Sequence, residues 1–490
     1  MVVAHATTGR SLPVQKYFDA LKRTLEGRDS KNARPSRGTL DSLHAIDLEG
    51  RCVALHTTEA EYGLDNGFNL LETSTRPFRR SEGGLLALAA MVETSGHYVL
   101  HALQADDACV LNASQHPDCP RDPDWYERVR VPRPIYRELV GYRGWKHWEG
   151  IDAKAQNGVN IQVPVHDAVR ALNVMLGTAP AHIALFANSP LESGRETGLK
   201  ENRLTVWPRV FHQSTFAGDE MLARMPPRPF MNLGDYFRWL FRPGTVSRSL
   251  PMGRRHDYKS APTVLLDGDP SLMAFMAARR WPGRRTDTGE RVELVPDTAH
   301  FEHSQIGQFM DARLRYRLHD LPPFERLTAA WRRQDGLEDL FEEVGVEMYI
   351  EGRCPGAGFP DQALREEAGD AIARSFVMSP AALQWGLFQC LDDAEALLRQ
   401  YSWPELARMR ERAIRHGMDD KSVAQLCREV LDIALQGLEE TERPLLDYAL
   451  YVARTGRCAA DRLLETWRAT AGLSSRDRLA RIVERHRAHI

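Results

Sequence analysis

Carboxylates, guanidiniums and amides recur in this chain at spacings that could gather them around one substrate. Asp65 and Glu72 flank an Asn66-Gly67 pair, the sequence signal of a tight hairpin turn, so two neighbouring strands could carry both acids. Glu347, Tyr349, Glu351 and Arg353 alternate with Val346, Met348 and Ile350, which puts the polar four on one face of a strand. Asn160 and Gln162 alternate in the same way with Val159, Ile161 and Val163. Carboxylate oxygens are the ligands Mg²⁺ prefers, and that ion bridges polyphosphate oxygens. Arginines grip phosphate or carboxylate through paired donors. Such a set suits phosphoryl transfer, in which the protein contributes mainly positioning and charge neutralisation.

A second concentration of polar residues is FANSPLESGRETGLKENRLTVW, from Phe186 to Trp207. Asn188-Ser189-Pro190 ends the apolar run Ala179 to Phe186, because Pro190 removes a backbone donor. Gly194 and Gly198 bracket Arg195, Glu196 and Thr197, an arrangement expected of a ligand loop. Arg203 and Trp207 share a face if the chain becomes helical there.

Several elements must position these groups. Helices are expected over Val14 to Leu25, Leu85 to Val92, Asp167 to Leu176 and Leu337 to Val344. Ile46 to Arg51 ends one strand and enters a turn, and strands are expected over Cys52 to His56, Phe68 to Thr75, Gly96 to Leu103, Gly158 to Val165 and Val346 to Arg353. Pro117 to Pro134 reads as a surface loop. Between Pro226 and Pro322 only short helices among basic loops are legible. The chain after Gly358 reads as a helical bundle, with Leu426, Val430, Leu431 and Ala434 at helical spacing.

Composition narrows the function classes. The chain has 490 residues, 43% of them apolar, with 64 basic and 67 acidic side chains. That near-neutral balance argues against a nucleic-acid or anionic-membrane surface and favours small-molecule partners. No apolar leader or membrane-length run is present, so a soluble, cytoplasmic protein is expected. The seven cysteines form no CxxC pair, which indicates neither a zinc site nor a disulfide framework. GxxxxGK[ST], GxGxxG, HExxH and GxSxG are absent, so any ATP chemistry must use another phosphate cradle.

The Phe186–Trp207 stretch resembles the matching loop of glutamate–cysteine ligases of the plant and proteobacterial type, from Asn188-Ser189-Pro190 through Gly194, Gly198 and Arg203 to Trp207. LEDLFEEVGVEMYIEGR resembles the late strand of that family, with Glu351 and Arg353 at its Glu-x-Arg signature, and IALQGLEETERPLLDYALYVARTGRCAADRLLETW resembles its closing helices. The resemblance implies an α+β fold: a curved, mainly antiparallel sheet of glutamine-synthetase-like type with flanking helices and a C-terminal helical bundle. It divides the chain into a catalytic region, residues 1–357, with an expanded segment at about 243–319, and a helical region, residues 358–490.

The activity so implied is ATP- and Mg²⁺-dependent ligation of glutamate to an amine through an acyl phosphate. Cysteine is the default acceptor; the alternatives are a specialised paralogue joining glutamate or a related acid to a different amine and a catalytically silent binding homologue. Carried over singly, Asp65, Glu72 and Glu351 are metal positions, with Asp41 as a fourth candidate. Glu351 and Arg203 are catalytic, and Asn160, Gln162, Asn188, Arg195, Thr197 and Arg353 bind substrate. The chain departs from the family at four places. Gly38 to Ser42 keeps only Asp41 where two glutamates are usual, Asn160 and Gln162 are in reversed order, Glu201 replaces a serine, and Cys354-Pro355-Gly356 replaces an acidic residue after Arg353.

Overall fold

The computed structural model describes residues 1–27, 43–242, 249–252, 262–268, 270–303, 309–319 and 322–489. Two antiparallel sheets carry most of the polar residues singled out above. The first is a meander of strands His44–Leu48, Arg51–His56, Ala60–Leu64 and Leu71–Thr75. Its opening turn uses Glu49 and Gly50, both at positive φ (50° and 76°), as a two-residue hairpin requires. Val53, Leu55, Tyr62, Leu64 and Leu71 fall on one face by the two-residue period and are buried with helices Tyr17–Leu25 and Gly84–Leu103. The opposite face holds Glu61, Gly63, Asp65 and Glu72.

The second sheet orders strands Ala312–Arg317, Glu347–Gly352 and Val159–Val163, all antiparallel. Leu314, Tyr316, Met348, Ile350, Ile161 and Val163 form its apolar face, packed with helix Ala168–Gly177. Its polar face aligns Arg313 with Glu351 and Asn160, and Arg315 with Tyr349 and Gln162. Among the described residues the strands form five antiparallel sheets flanked by helices, which bears out the α+β reading.

C-terminal helices Ser379–Gln389, Trp403–His416 and Lys421–Gly437 bury Leu426, Val430, Leu431 and Ala434 as expected. They also enclose the apolar helix Ala179–Leu185, so the stretch leading into the Phe186–Trp207 loop lies in the same core as the bundle. Gly386 permits the close helix crossing there: a Cβ would lie 2.3 Å from the Ala434 carbonyl oxygen.

Four expectations need correction. Gly96 to Leu103 is helical, the second half of Gly84–Leu103; Ser95, Val99, Ala102 and Leu103 are buried at three- and four-residue intervals, and that packing overrides the strand preference of His-Tyr-Val. Pro117 to Pro134 contains helix Pro123–Val129, capped by the Asp122 carboxylate accepting from Trp125 N at 2.8 Å. Asn66-Gly67 is not a two-residue turn: the connection runs from Asp65 to Leu70, and Gly67 avoids positive φ. Glycine is needed there for close approach, since a Cβ would lie 2.4 Å from Asn69 Oδ1. The Pro226–Pro322 region contains helices Leu233–Leu240 and Leu272–Ala277 but also a sheet of strands Ser249–Pro251, Thr263–Leu266, Trp281–Arg285 and Arg291–Leu294.

Candidate active site

Register brings Asp65 and Glu72 onto one face. Glu72 pairs with Gly63, two residues before Asp65, so the acids are diagonal neighbours with no side chain between them at Gly63. The connection below them is pinned from three sides. Asn66 Nδ2 donates to Asp65 Oδ1 at 2.8 Å, Tyr136 Oη to Asn66 Oδ1 at 2.7 Å, and Arg133 Nη2 to the Leu64 carbonyl at 2.6 Å. Asn69 Nδ2 donates to the buried Asp152 Oδ2 at 3.1 Å, which also accepts from Trp125 Nε1 at 3.0 Å. The Met1 amine donates to the Leu71 carbonyl at 2.7 Å and faces both acids; burial pulls its pKa down to about 6.

Glu351 has both oxygens engaged by guanidiniums, Oε2 accepting from Arg313 Nε at 2.6 Å and Oε1 from Arg353 Nη1 at 2.5 Å. Burial alone would raise its pKa; Arg313, then Arg353 and Arg315, more than reverse this and hold the carboxyl far below its usual range. Glu351 is therefore ionised and braces two arginines.

Arg203, in the turn Asn202–Thr205, is similarly engaged. Nε donates to Glu201 Oε1 at 2.7 Å, Nη2 to the Cys354 carbonyl at 2.7 Å, and Nη1 to the Arg353 carbonyl and Gln156 Oε1 at 3.3 and 3.4 Å. Together with Arg353, Gln156 and Trp207 it lines a narrow crevice floored by Asp311 and Arg410, which pair with each other. Trp207 packs on Phe309 there with ring centroids 4.0 Å apart.

Between these walls lies Lys154, only 7% exposed, with its ammonium 4.5 Å from the centre of the Trp207 ring. Burial lowers its pKa to about 8; Asp65 and Glu72 act to raise it, Arg353 and Arg203 to lower it. The four residues are thus within electrostatic reach of one ammonium, and Glu351 joins them through Arg353.

Other candidates stand apart. Asn188 is buried at 1% exposure and donates to Asn112 Oδ1 and the Ala357 carbonyl, both at 2.9 Å, which makes it a structural brace. Thr197 Oγ1 donates to the Pro190 carbonyl at 3.0 Å, and Arg195 is exposed on the two-residue strand Arg195–Glu196. Their loop borders a different cleft of about 490 Å³, lined by Glu196, Lys200, Arg457, Asp461 and Arg468. Asn160 and Gln162 are exposed on the polar face beside Glu351 and Tyr349. Asp41 lies outside the described residues. Among the described residues, no three His, Cys, Asp or Glu side chains are grouped closely enough to hold a metal ion.

Sequence reasoning missed Lys154, Gln156 and the arginine row on strand Ala312–Arg317. The row is visible as Arg313-Leu-Arg315-Tyr-Arg317, a strict two-residue alternation. Lys154, in Asp-Ala-Lys-Ala-Gln, has no such signal, since only the tertiary fold buries it.

Residues 67–294 match the family described as glutamate-cysteine ligase family 2 (GCS2), and no curated protein matches the chain.

Proposed function

We propose that this chain, whose residues 67–294 match glutamate–cysteine ligase family 2, is an ATP- and Mg²⁺-dependent carboxylate–amine ligase that makes a γ-glutamyl amide through an acyl phosphate. Cysteine is the default acceptor. The observation that carries the reading is the convergence on Lys154 of Asp65 and Glu72 from one sheet, Arg353 from the other, and Arg203. We read these sheets as walls of a glutamine-synthetase-like concavity.

Asp65 and Glu72 fit Mg²⁺. They are two oxygen-donor side chains on one face, and this ion ordinarily takes one or two carboxylates and completes its octahedron with phosphate oxygens and water. Glu351 does not fit as a further ligand, because both its oxygens already accept from guanidiniums; its role is to aim Arg353. Magnesium held by Asp65 and Glu72 would supply charge neutralisation for the transferred phosphoryl group. Arg353, fixed by Glu351, presents its remaining donors to an anionic substrate oxygen. Arg203 borders the crevice with most of its donors committed, so it shapes that wall more than it grips a ligand. Trp207 and Phe309 shield the crevice from water on one side, which strengthens every charge interaction within it.

The deciding assay measures ADP release with glutamate while cysteine and a panel of other amines are varied. Turnover requiring glutamate and cysteine supports the reading as stated, and turnover with another amine moves it to a different acceptor. No ADP release with any amine, together with no ATP binding by calorimetry, would sink it.

A further inference from the structure

Lys154 is a buried cation whose ammonium, among the described residues, donates no hydrogen bond and joins no ion pair; it lies over the face of the Trp207 ring, 4.5 Å from its centre. Burying an ammonium without a counter-ion costs several kcal/mol, so a fold retains one where a ligand completes it. Its surroundings indicate which ligand. Arg203 is paired with Glu201, Arg313 and Arg353 share Glu351, and Arg315 adds a further positive charge on the same face, so a divalent cation on Asp65 and Glu72 would leave at least two positive charges to be matched. A phosphoryl group carries that charge; a single carboxylate does not.

Resting on the ligase reading above, we propose that Lys154 is a phosphate-binding residue, its ammonium donating to non-bridging oxygens of the phosphoryl group that passes from ATP to the γ-carboxylate. In that step the bond between the γ-phosphorus and the β,γ-bridging oxygen breaks, a bond from the γ-phosphorus to a carboxylate oxygen forms, and ADP leaves with the bridging oxygen. Lys154 neither gains nor loses a proton; it follows the phosphoryl charge from donor to acceptor. The position suits this role. The neighbouring turn Ile151–Ala153 is fully buried, and the Lys154 backbone is bridged to Gln115, so the side chain springs from a fixed base.

The test titrates magnesium pyrophosphate, MgADP and adenosine into wild type, Lys154→Met and Lys154→Arg by calorimetry. Expected is a loss of about tenfold or more in affinity for pyrophosphate in Lys154→Met, with the binding of adenosine and of MgADP, which lacks the transferred phosphoryl group, little changed and Lys154→Arg retaining most of the pyrophosphate affinity. Equal pyrophosphate affinity in wild type and Lys154→Met overturns the assignment while leaving the ligase reading intact. A wild type that binds neither phosphate probe overturns both. Should Lys154→Met not fold, pyrophosphate must change the tryptophan emission of wild type and not of Trp207→Phe, because the ammonium leaves that ring to meet phosphate; an unchanged wild-type emission overturns the proposal.

Discussion

Glu201 Oε1 accepts from Arg203 Nε at 2.7 Å, and the two side chains are shut from solvent, 0% and 3% exposed. Glu201 also accepts from Ser114 Oγ at 2.9 Å and from Asn188 N at 2.7 Å, so its carboxylate is fully used inside the protein. In sequence, Glu201 in place of serine looks like a change of ligand chemistry. In the structure it is the counter-ion of Arg203 and makes no wall of the crevice. Glu201→Gln removes the charge and keeps the shape, leaving a buried guanidinium uncompensated. Urea unfolding should show a loss of about 3–5 kcal/mol. A loss under about 1 kcal/mol would mean that the pair contributes no more than an exposed one.

Asp65 and Glu72 should behave differently from Glu351. Asp65→Asn and Glu72→Gln remove charge from residues that face the site, so turnover should fall by orders of magnitude while the melting temperature moves little. Glu351→Gln should lose activity and stability together, because Arg313 and Arg353 would lose their shared carboxylate. Calorimetric melts beside initial rates check this. Equal destabilisation by all three variants would remove the distinction between metal-facing and bracing carboxylates.

Arg203→Lys tests the crevice wall. Lysine cannot reproduce donors aimed at once at Glu201 and at the carbonyls of Arg353 and Cys354, so the 353–354 turn should loosen. The Michaelis constant for glutamate should rise with kcat less affected, as expected when a positioning residue rather than a transition-state contact is lost. A fall in kcat alone would instead put Arg203 on the reacting phosphoryl group.

The strands with clean alternation were legible because one face of each is buried: Val159–Val163 and Glu347–Gly352 appear where the two-residue period puts them. The pairing between them was not, since register across residues so distant in sequence depends on the whole fold. That pairing is what sets Asn160 beside Glu351. The Phe186–Trp207 stretch reads in sequence as one ligand loop, but its two halves separate in the structure. Arg203 and Trp207 line the crevice, whereas Glu196 pairs with Arg468 and turns toward the C-terminal helices. Asn66-Gly67 misled for a similar reason, as its glycine serves a close approach to Asn69 that no local pattern announces.

Acid should reveal the Glu351 brace. A carboxyl whose folded pKa lies below its ordinary 4.5 contributes stability that is complete above that value and is lost as pH falls through the folded pKa. The stability gap between wild type and Glu351→Gln should therefore stay constant down to roughly pH 5 and narrow below it. A gap that widens on acidification would contradict the depressed pKa and the two guanidinium contacts behind it.

Asp152 should show the opposite sign. It is 1% exposed, and burial raises its pKa although Asn69, Trp125 and Cys119 donate to it. All three donors meet Oδ2, while Oδ1 has no partner among the described residues. A carboxyl with a raised folded pKa costs stability as pH climbs from its ordinary 3.8 through the folded value, because the unfolded chain ionises first. Asp152→Asn keeps an acceptor for the Asn69 and Trp125 donors and removes the buried charge. The variant should match wild type in acid and exceed it once wild-type Asp152 is ionised, a difference that urea unfolding across pH would resolve. The connection carrying Asp65 should remain in place, so turnover should persist. A variant destabilised more at neutral pH than in acid would mean that the ionised Asp152 is itself what anchors that connection.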